Sequence, residues 1–201
     1  MLRPPQYNPM QGPTETPIAI RTARLELVAM NLASVEAELA GPDLLSALLG
    51  VTLPLSWPPG EYDRDALRYF RDCLRGARQE HAGWYSWYAI NTTPAGERLA
   101  LVGAVGYFGP PVAGGVEIGY AMIPEARGQG FATECVQALV DRALSFPDVH
   151  CVTAHTRGDT NPASRKVLRR CGFRRVGRGT EGDLVRYQRE RPGVWSGDAG
   201  L

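Results

Sequence analysis

Residues 124–134 read Pro-Glu-Ala-Arg-Gly-Gln-Gly-Phe-Ala-Thr-Glu, an order that can hold an anion. They stand between a run patterned like a strand, 116–123, and the most regular helical pattern in the chain, 130–145. A glycine-containing turn that opens a helix leaves several backbone N–H groups unpaired and pointing the same way. The helix dipole adds partial positive charge at that end, so phosphate suits it. Gly128 and Gly130 let the backbone approach a ligand closely, Ala132 keeps the first turn clear, and Arg127 brings a full positive charge. Glycines also serve tight turns that bind nothing, so on the loop alone a plain turn before a helix stays open.

Two other phosphate-binding loops fail on their residues. The Walker pattern ends in Gly-Lys-Ser/Thr, whereas Gly130 is followed by Phe131 and Ala132. The dinucleotide fingerprint needs Gly or Ala three positions after Gly130, and Thr133 stands there. That fingerprint also belongs near the start of a βαβ unit, not after a run of strands.

The elements that must position this loop follow from periodicity and breakers. Residues 24–30 alternate as a first strand, and Asn31 then caps a helix with Val35 and Leu39 on one face. Breakers crowd residues 50–62, which predicts a loop with an apolar character. Residues 63–78 carry Leu67, Phe70 and Leu74 at helical spacing. Three strands follow, 84–91, 99–108 and 116–123, each closed by a polar turn or a proline. The helix 130–145 has a continuous apolar stripe through Cys135, Val136, Leu139, Val140 and Ala143. Residues 151–155 form a short strand, and 161–171 a helix with Pro162 at its first position and Gly172 just past its end. Residues 173–176 and 183–189 close the chain as a strand pair. A meander followed by a crossover helix implies a mixed sheet covered by helices, one α+β domain over residues 18–191. Residues 1–17 read as a loose N-terminal arm and 192–201 as a frayed tail.

Composition removes several classes of function. The 201 residues hold 22 Lys plus Arg against 21 Asp plus Glu, a net charge of +1 that demands neither nucleic acid nor an anionic membrane as partner. The basic residues crowded between Arg165 and Arg178 read as a solvated helix face. Cys73, Cys135, Cys151 and Cys171 form no Cys-x-x-Cys pair, so neither a metal site nor a redox dithiol is expected. No stretch approaches the roughly 18 apolar residues of a membrane span, and the start lacks the order of a signal peptide. The expectation is a cytoplasmic protein with reduced core thiols.

The sequence Arg127-Gly128-Gln129-Gly130-Phe131-Ala132 resembles the coenzyme A-binding pattern Gln/Arg-x-x-Gly-x-Gly/Ala of the GNAT superfamily of N-acetyltransferases. Glu117-Ile118-Gly119-Tyr120, Pro124-Glu125-Ala126, and Asn161-x-x-Ser164 running to Gly172-Phe173 are similar to its RimJ/RimL-type branch. The resemblance implies a mostly antiparallel central sheet that splays at the coenzyme. It also implies acetyl-CoA as cosubstrate and transfer of acetyl to a primary amine, on a protein N-terminus or a small molecule. A non-catalytic acyl-CoA-binding module would show the same loop. Relatives are commonly dimeric, which makes a homodimer the natural assembly to test.

The resemblance also assigns roles. The N–H groups of Gly128, Gln129, Gly130, Phe131, Ala132 and Thr133 would hold the pyrophosphate beside Arg127. The backbone of Met122 and Ile123 would pair with the pantetheine arm, and Asn161 would reach that arm, unless it simply caps its helix. Acyl transfer needs a base for the amine proton and help for the departing thiolate. The tyrosine acid of many GNAT enzymes falls here on Leu168, so Ser164 is the candidate on the thiolate side. Its alternative is a hydroxyl turned back into its own helix. Glu117 is the candidate base, or a structural carboxylate, with His155 a weaker candidate. Trp57, Glu61 and Tyr62, in the proline-stiffened loop, are expected to line the acceptor wall; Trp57 could equally plug the core.

Overall fold

The computed structural model describes residues 17–60, 62–157, 160–179 and 183–193. Nearly all of the arm and tail, and Glu61, lie outside the described residues. One eight-stranded sheet runs through the molecule in the order β1-β2-β3-β4-β5-β6-β8-β7. Its strands are β1 (Ala19–Arg21), β2 (Leu25–Ala29), β3 (Ser86–Thr92), β4 (Arg98–Tyr107), β5 (Gly115–Met122), β6 (Cys151–Arg157), β7 (Arg174–Arg178) and β8 (Leu184–Glu190). Every neighbouring pair is antiparallel except β5 with β6.

The helices divide between the two faces. On one face lie α1 (Leu32–Ala40), α2 (Pro42–Leu49) and α3 (Arg64–Gly76). Val35, Leu45, Leu49, Leu67 and Phe70 pack there against Val28, Tyr88, Ile90 and Leu101 of the sheet. On the other face α4 (Phe131–Ser145) sets Cys135, Val136, Leu139 and Val140 onto Leu27, Val105, Ile118 and Val152. Leu168 of α5 (Pro162–Arg170) is fully buried in that same core. The expected α+β architecture is therefore present, with two elements more than the periodicity showed. β1 is a three-residue edge strand, too short to alternate visibly. α2 begins at Pro42 directly after Gly41, because a proline that ends one helix can open the next.

Caps explain where most helices start. Asn31 accepts from the Ser34 N–H, and the Ser34 hydroxyl accepts from the Asn31 N–H, a reciprocal box at the head of α1. Asp63 accepts from the N–H groups of Asp65 and Ala66 at the head of α3. α4 is different: its N-cap is Gly130, with φ 85°, and no side chain caps it.

Candidate active site

The sheet opens where β5 leaves β6. Their pairing runs from Gly115↔Cys151 to Ile118↔Ala154 and stops there. β5 continues to Met122 against β4, and β6 continues to Arg157 against β8, so the two strands diverge as a wedge. Among the described residues Gly119–Met122 keep an edge without a strand neighbour, roughly 13 Å long at a strand's rise per residue. Backbone parity decides which groups face it. The Phe108 N–H donates to the Glu117 carbonyl and the Ile123 N–H to the Val102 carbonyl. Residues 117, 119, 121 and 123 thus turn their backbone toward β4, and Tyr120 and Met122 turn theirs into the wedge. This corrects the expectation for Ile123, whose N–H is already taken. The Met122 carbonyl also has a partner, accepting from Arg127 Nε at 3.2 Å.

The glycine loop lies at the mouth of this wedge. Gly128 and Gly130 take φ of 76° and 85°, values side chains rarely adopt, and an added Cβ at Gly128 would meet nothing within 4 Å. Space above the loop and an uncapped helix start together fit a phosphate. The flanking side chains brace the loop. Gln129 Nε2 donates to the Glu125 carbonyl at 2.7 Å, and the Phe131 ring is buried in the core, leaving its N–H as the group that can face a ligand. Arg24, which the sequence reading did not single out, reaches the loop from the start of β2. Its guanidinium donates to the Gln129 carbonyl at 2.9 Å, pairs with Glu134 at 2.7 Å and lies over Phe131 at 4.6 Å. Burial pulls the Glu134 carboxyl upward, but Thr22 and Arg24 outweigh it and hold it below its ordinary value.

At α5, Asn161 is a cap: its side-chain oxygen accepts from the Ser164 N–H at 3.0 Å. Ser164 does not turn its hydroxyl back into the helix. Its Oγ lies 2.8 Å from the Tyr120 hydroxyl, a contact in which either oxygen can donate, and the Ser164 carbonyl, 3.2 Å from the same hydroxyl, is a second acceptor within its reach. Burial pushes the Tyr120 phenol up to about 12 against the effect of the Ser164 hydrogen bond.

Glu117 belongs to the opposite face of the sheet. It registers with Thr153, and the His155 Nδ1 lies 2.7 Å from its Oε1. The Glu117 side chain is 39% exposed, while His155 Nε2 is buried and has no hydrogen-bond partner among the described residues. Glu117 opens onto a cleft of about 480 Å³ lined also by Phe108, Pro110, Val112, Thr153 and Arg186. The aromatic side chains of the 50–62 loop, expected at an acceptor wall, are tied to α1. Tyr62 is 6% exposed and its hydroxyl donates to Glu38 at 2.9 Å. Trp57 is half-buried, donates to Glu38 at 2.7 Å and stacks edge-on against Tyr62. Both aromatic side chains answer to a half-buried carboxylate on α1, a partner invisible to local sequence reading.

Residues 42–174 match the model of the acetyltransferase (GNAT) domain family. The chain belongs to the GNAT acetyltransferase family. It is an acetyl-CoA-dependent acyltransferase, and the resemblance carried by Val116 to Phe173 is borne out at the level of the family. The chain is 29% identical over 160 residues to YjdG, an uncharacterised N-acetyltransferase of Bacillus subtilis strain 168, covering 78% of this chain and 89% of that one. Two solved structures share the fold. RimL, a ribosomal L7/L12 alpha-N-protein acetyltransferase in complex with coenzyme A, superposes with a TM-score of 0.56 at 22% identity, over 86% of this chain and 98% of its own. A GNAT-family acetyltransferase of Bordetella pertussis gives 0.59 at 18% identity, over 86% and 99%. Among the described residues no cluster of three His, Cys, Asp or Glu side chains is placed to hold a metal, and no helix is long and apolar enough to cross a membrane.

Proposed function

We propose that this domain, residues 18–191, acetylates a primary amine that attacks the thioester directly. The observation that carries the reading is the wedge between β5 and β6 with an uncapped, glycine-opened helix at its mouth. Acetyl-CoA supplies the activated acyl group. The N–H groups from Gly128 to Thr133 hold its pyrophosphate, and Tyr120 and Met122 offer backbone to the pantetheine arm as a missing strand would. Arg127 and Gln129 keep the loop in shape, as their bonds to the Met122 and Glu125 carbonyls indicate.

The side chains divide the remaining work by face. Ser164 and Tyr120 stand on the α4/α5 side, where they can meet the sulfur. Glu117 stands on the other side, oriented by His155, where it can take the amine's proton. The acceptor enters by the cleft between Phe108, Pro110 and Arg186. A cleft that holds both Glu117 and Arg186 suits an amine with an anionic neighbour, such as a peptide N-terminus or an amino-acid-like molecule, better than a polycation. RimL, which acts on a protein α-amine, lends this direction support.

The test is free-thiol release from acetyl-CoA with a panel of peptides, amino acids, polyamines and aminoglycosides. Amine-dependent release, strongest with peptide or amino-acid acceptors, is expected. Tight acetyl-CoA binding without turnover on any amine would show a coenzyme-binding module instead.

A further inference from the structure

We propose that Tyr120 is a positioning residue that turns the Ser164 hydroxyl hydrogen toward the thioester sulfur and so governs release of the thiolate. The inference rests on the acetyl-transfer reading above and adds a group to it. Tyr120 lies on the part of β5 that has left β6 while still paired with β4, and its side chain crosses the mouth of the wedge to α5. Anything lying along Tyr120 and Met122 therefore passes beside this hydroxyl pair.

In this proposal the phenol is the donor of the pair. A phenol is a stronger donor than an aliphatic alcohol, and of the two acceptors that compete for its one hydrogen the Ser164 Oγ at 2.8 Å is nearer than the Ser164 carbonyl at 3.2 Å. With Tyr120 as donor, Ser164 Oγ accepts, and its own hydrogen is left for a third group. The serine is held in place meanwhile, because Asn161 fixes its N–H. Burial keeps the phenol protonated well above neutral pH, so the donor is present throughout the working range. The helix position where the family resemblance expects a tyrosine acid is Leu168, sealed in the core. The hydroxyl chemistry thus comes from the strand and the first turn of α5.

The step balances without another reagent. The amine nitrogen bonds the acetyl carbon while the C–S bond breaks, and the electron pair of that bond stays on sulfur. The nitrogen's proton leaves toward Glu117. Ser164 donates its O–H to the sulfur, and the thiol's final proton comes from solvent.

The test uses Tyr120→Phe, which keeps the ring and removes only the hydroxyl. With acetyl-CoA, kcat is expected to fall about tenfold while the KM for acetyl-CoA moves less than about twofold. With the selenoester analogue of acetyl-CoA, whose selenolate departs without help, the loss is expected to shrink to within about twofold. In a Ser164→Ala background the same substitution is expected to cost nothing further. Equal losses with both donors, a further loss in the Ser164→Ala background, or an unchanged kcat would overturn the proposal. If the unaltered protein transfers acetyl to no amine, the underlying reading fails and takes this one with it. Transfer by the unaltered protein with an indifferent Tyr120→Phe defeats this inference alone.

Discussion

The anion cradle between Met122 and Glu134 is made by nearly consecutive residues, whereas the Glu117–His155 pair on the other face exists only because β5 and β6 run parallel in one register. The cradle needs a strand end, two glycines and a helix start, all set by local sequence. The proposed acceptor cleft draws Phe108 from beyond β4, Glu117 from β5, Thr153 from β6 and Arg186 from β8. A site of the first kind is vulnerable at single backbone positions. A site of the second kind is vulnerable wherever one partner of a pair is removed, and it can drift in specificity while the cradle stays intact. That contrast fits a family in which one donor serves many acceptors.

The largest effect should come from breaking the cradle. Gly130→Asp places a carboxylate at the proposed phosphate site, and it puts a side chain at φ 85°. Backbone strain of order 1–3 kcal/mol and like-charge repulsion of several more combine there. Acetyl-CoA affinity is expected to fall more than about a thousandfold, measured by calorimetry, with the fold retained by circular dichroism. Undiminished affinity would mean that the turn is structural and that phosphate lies elsewhere.

Next in size is the assembled face. Glu117→Gln keeps shape and removes the proposed base, so kcat with a good acceptor is expected to drop about a hundredfold. The acidic limb of its rate–pH profile should disappear, and acetyl-CoA affinity should stay within about twofold. The control is His155→Asn, which returns a donor close to the position of Nδ1 and should retain most of the activity. If Glu117→Gln keeps the parent profile, the carboxylate only ties β5 to β6.

The contrast also explains what could be read in advance. The helix and strand order was legible from local periodicity, and so was the loop. The Asn31 cap was legible too, since a cap and its partner lie three residues apart, and the Asn161 cap stood open as the alternative to a coenzyme contact. The pairing of Tyr120 with Ser164 was not, because it joins residues on separate elements 44 positions apart. Nor was the brace of Arg24 on Gln129 and Glu134. Trp57 and Tyr62 were expected at a pocket wall because a proline-rich loop with aromatics suits one. Their shared bond to Glu38 was not legible, since a carboxylate on a helix reads as solvated until three aromatic donors are seen around it.

The smallest effect should appear where the 50–62 loop meets that carboxylate. Trp57→Phe keeps an aromatic ring against Tyr62 and Tyr88 and deletes only the indole N–H that donates to Glu38. Burial raises the Glu38 carboxyl above its ordinary value, and hydrogen bonds from Tyr88, Trp57 and Tyr62 only partly oppose this. A carboxyl whose folded pKa is raised gives stability that is present below the unfolded value and lost as pH rises through the folded one. Removing a donor to the anion raises the folded value further, so the variant's deficit must grow in the same direction. Chemical denaturation is expected to show a loss of about 1.5 kcal/mol at pH 8, the scale of a hydrogen bond to a charged group. At pH 4, where Glu38 is largely protonated in both states, the loss should fall to about 0.5 kcal/mol. The acceptor KM should move less than about twofold, because the indole faces Glu38 and the core. A tenfold rise in acceptor KM with unchanged stability would instead return Trp57 to the acceptor wall and move the entrance from the Glu117 cleft to this loop.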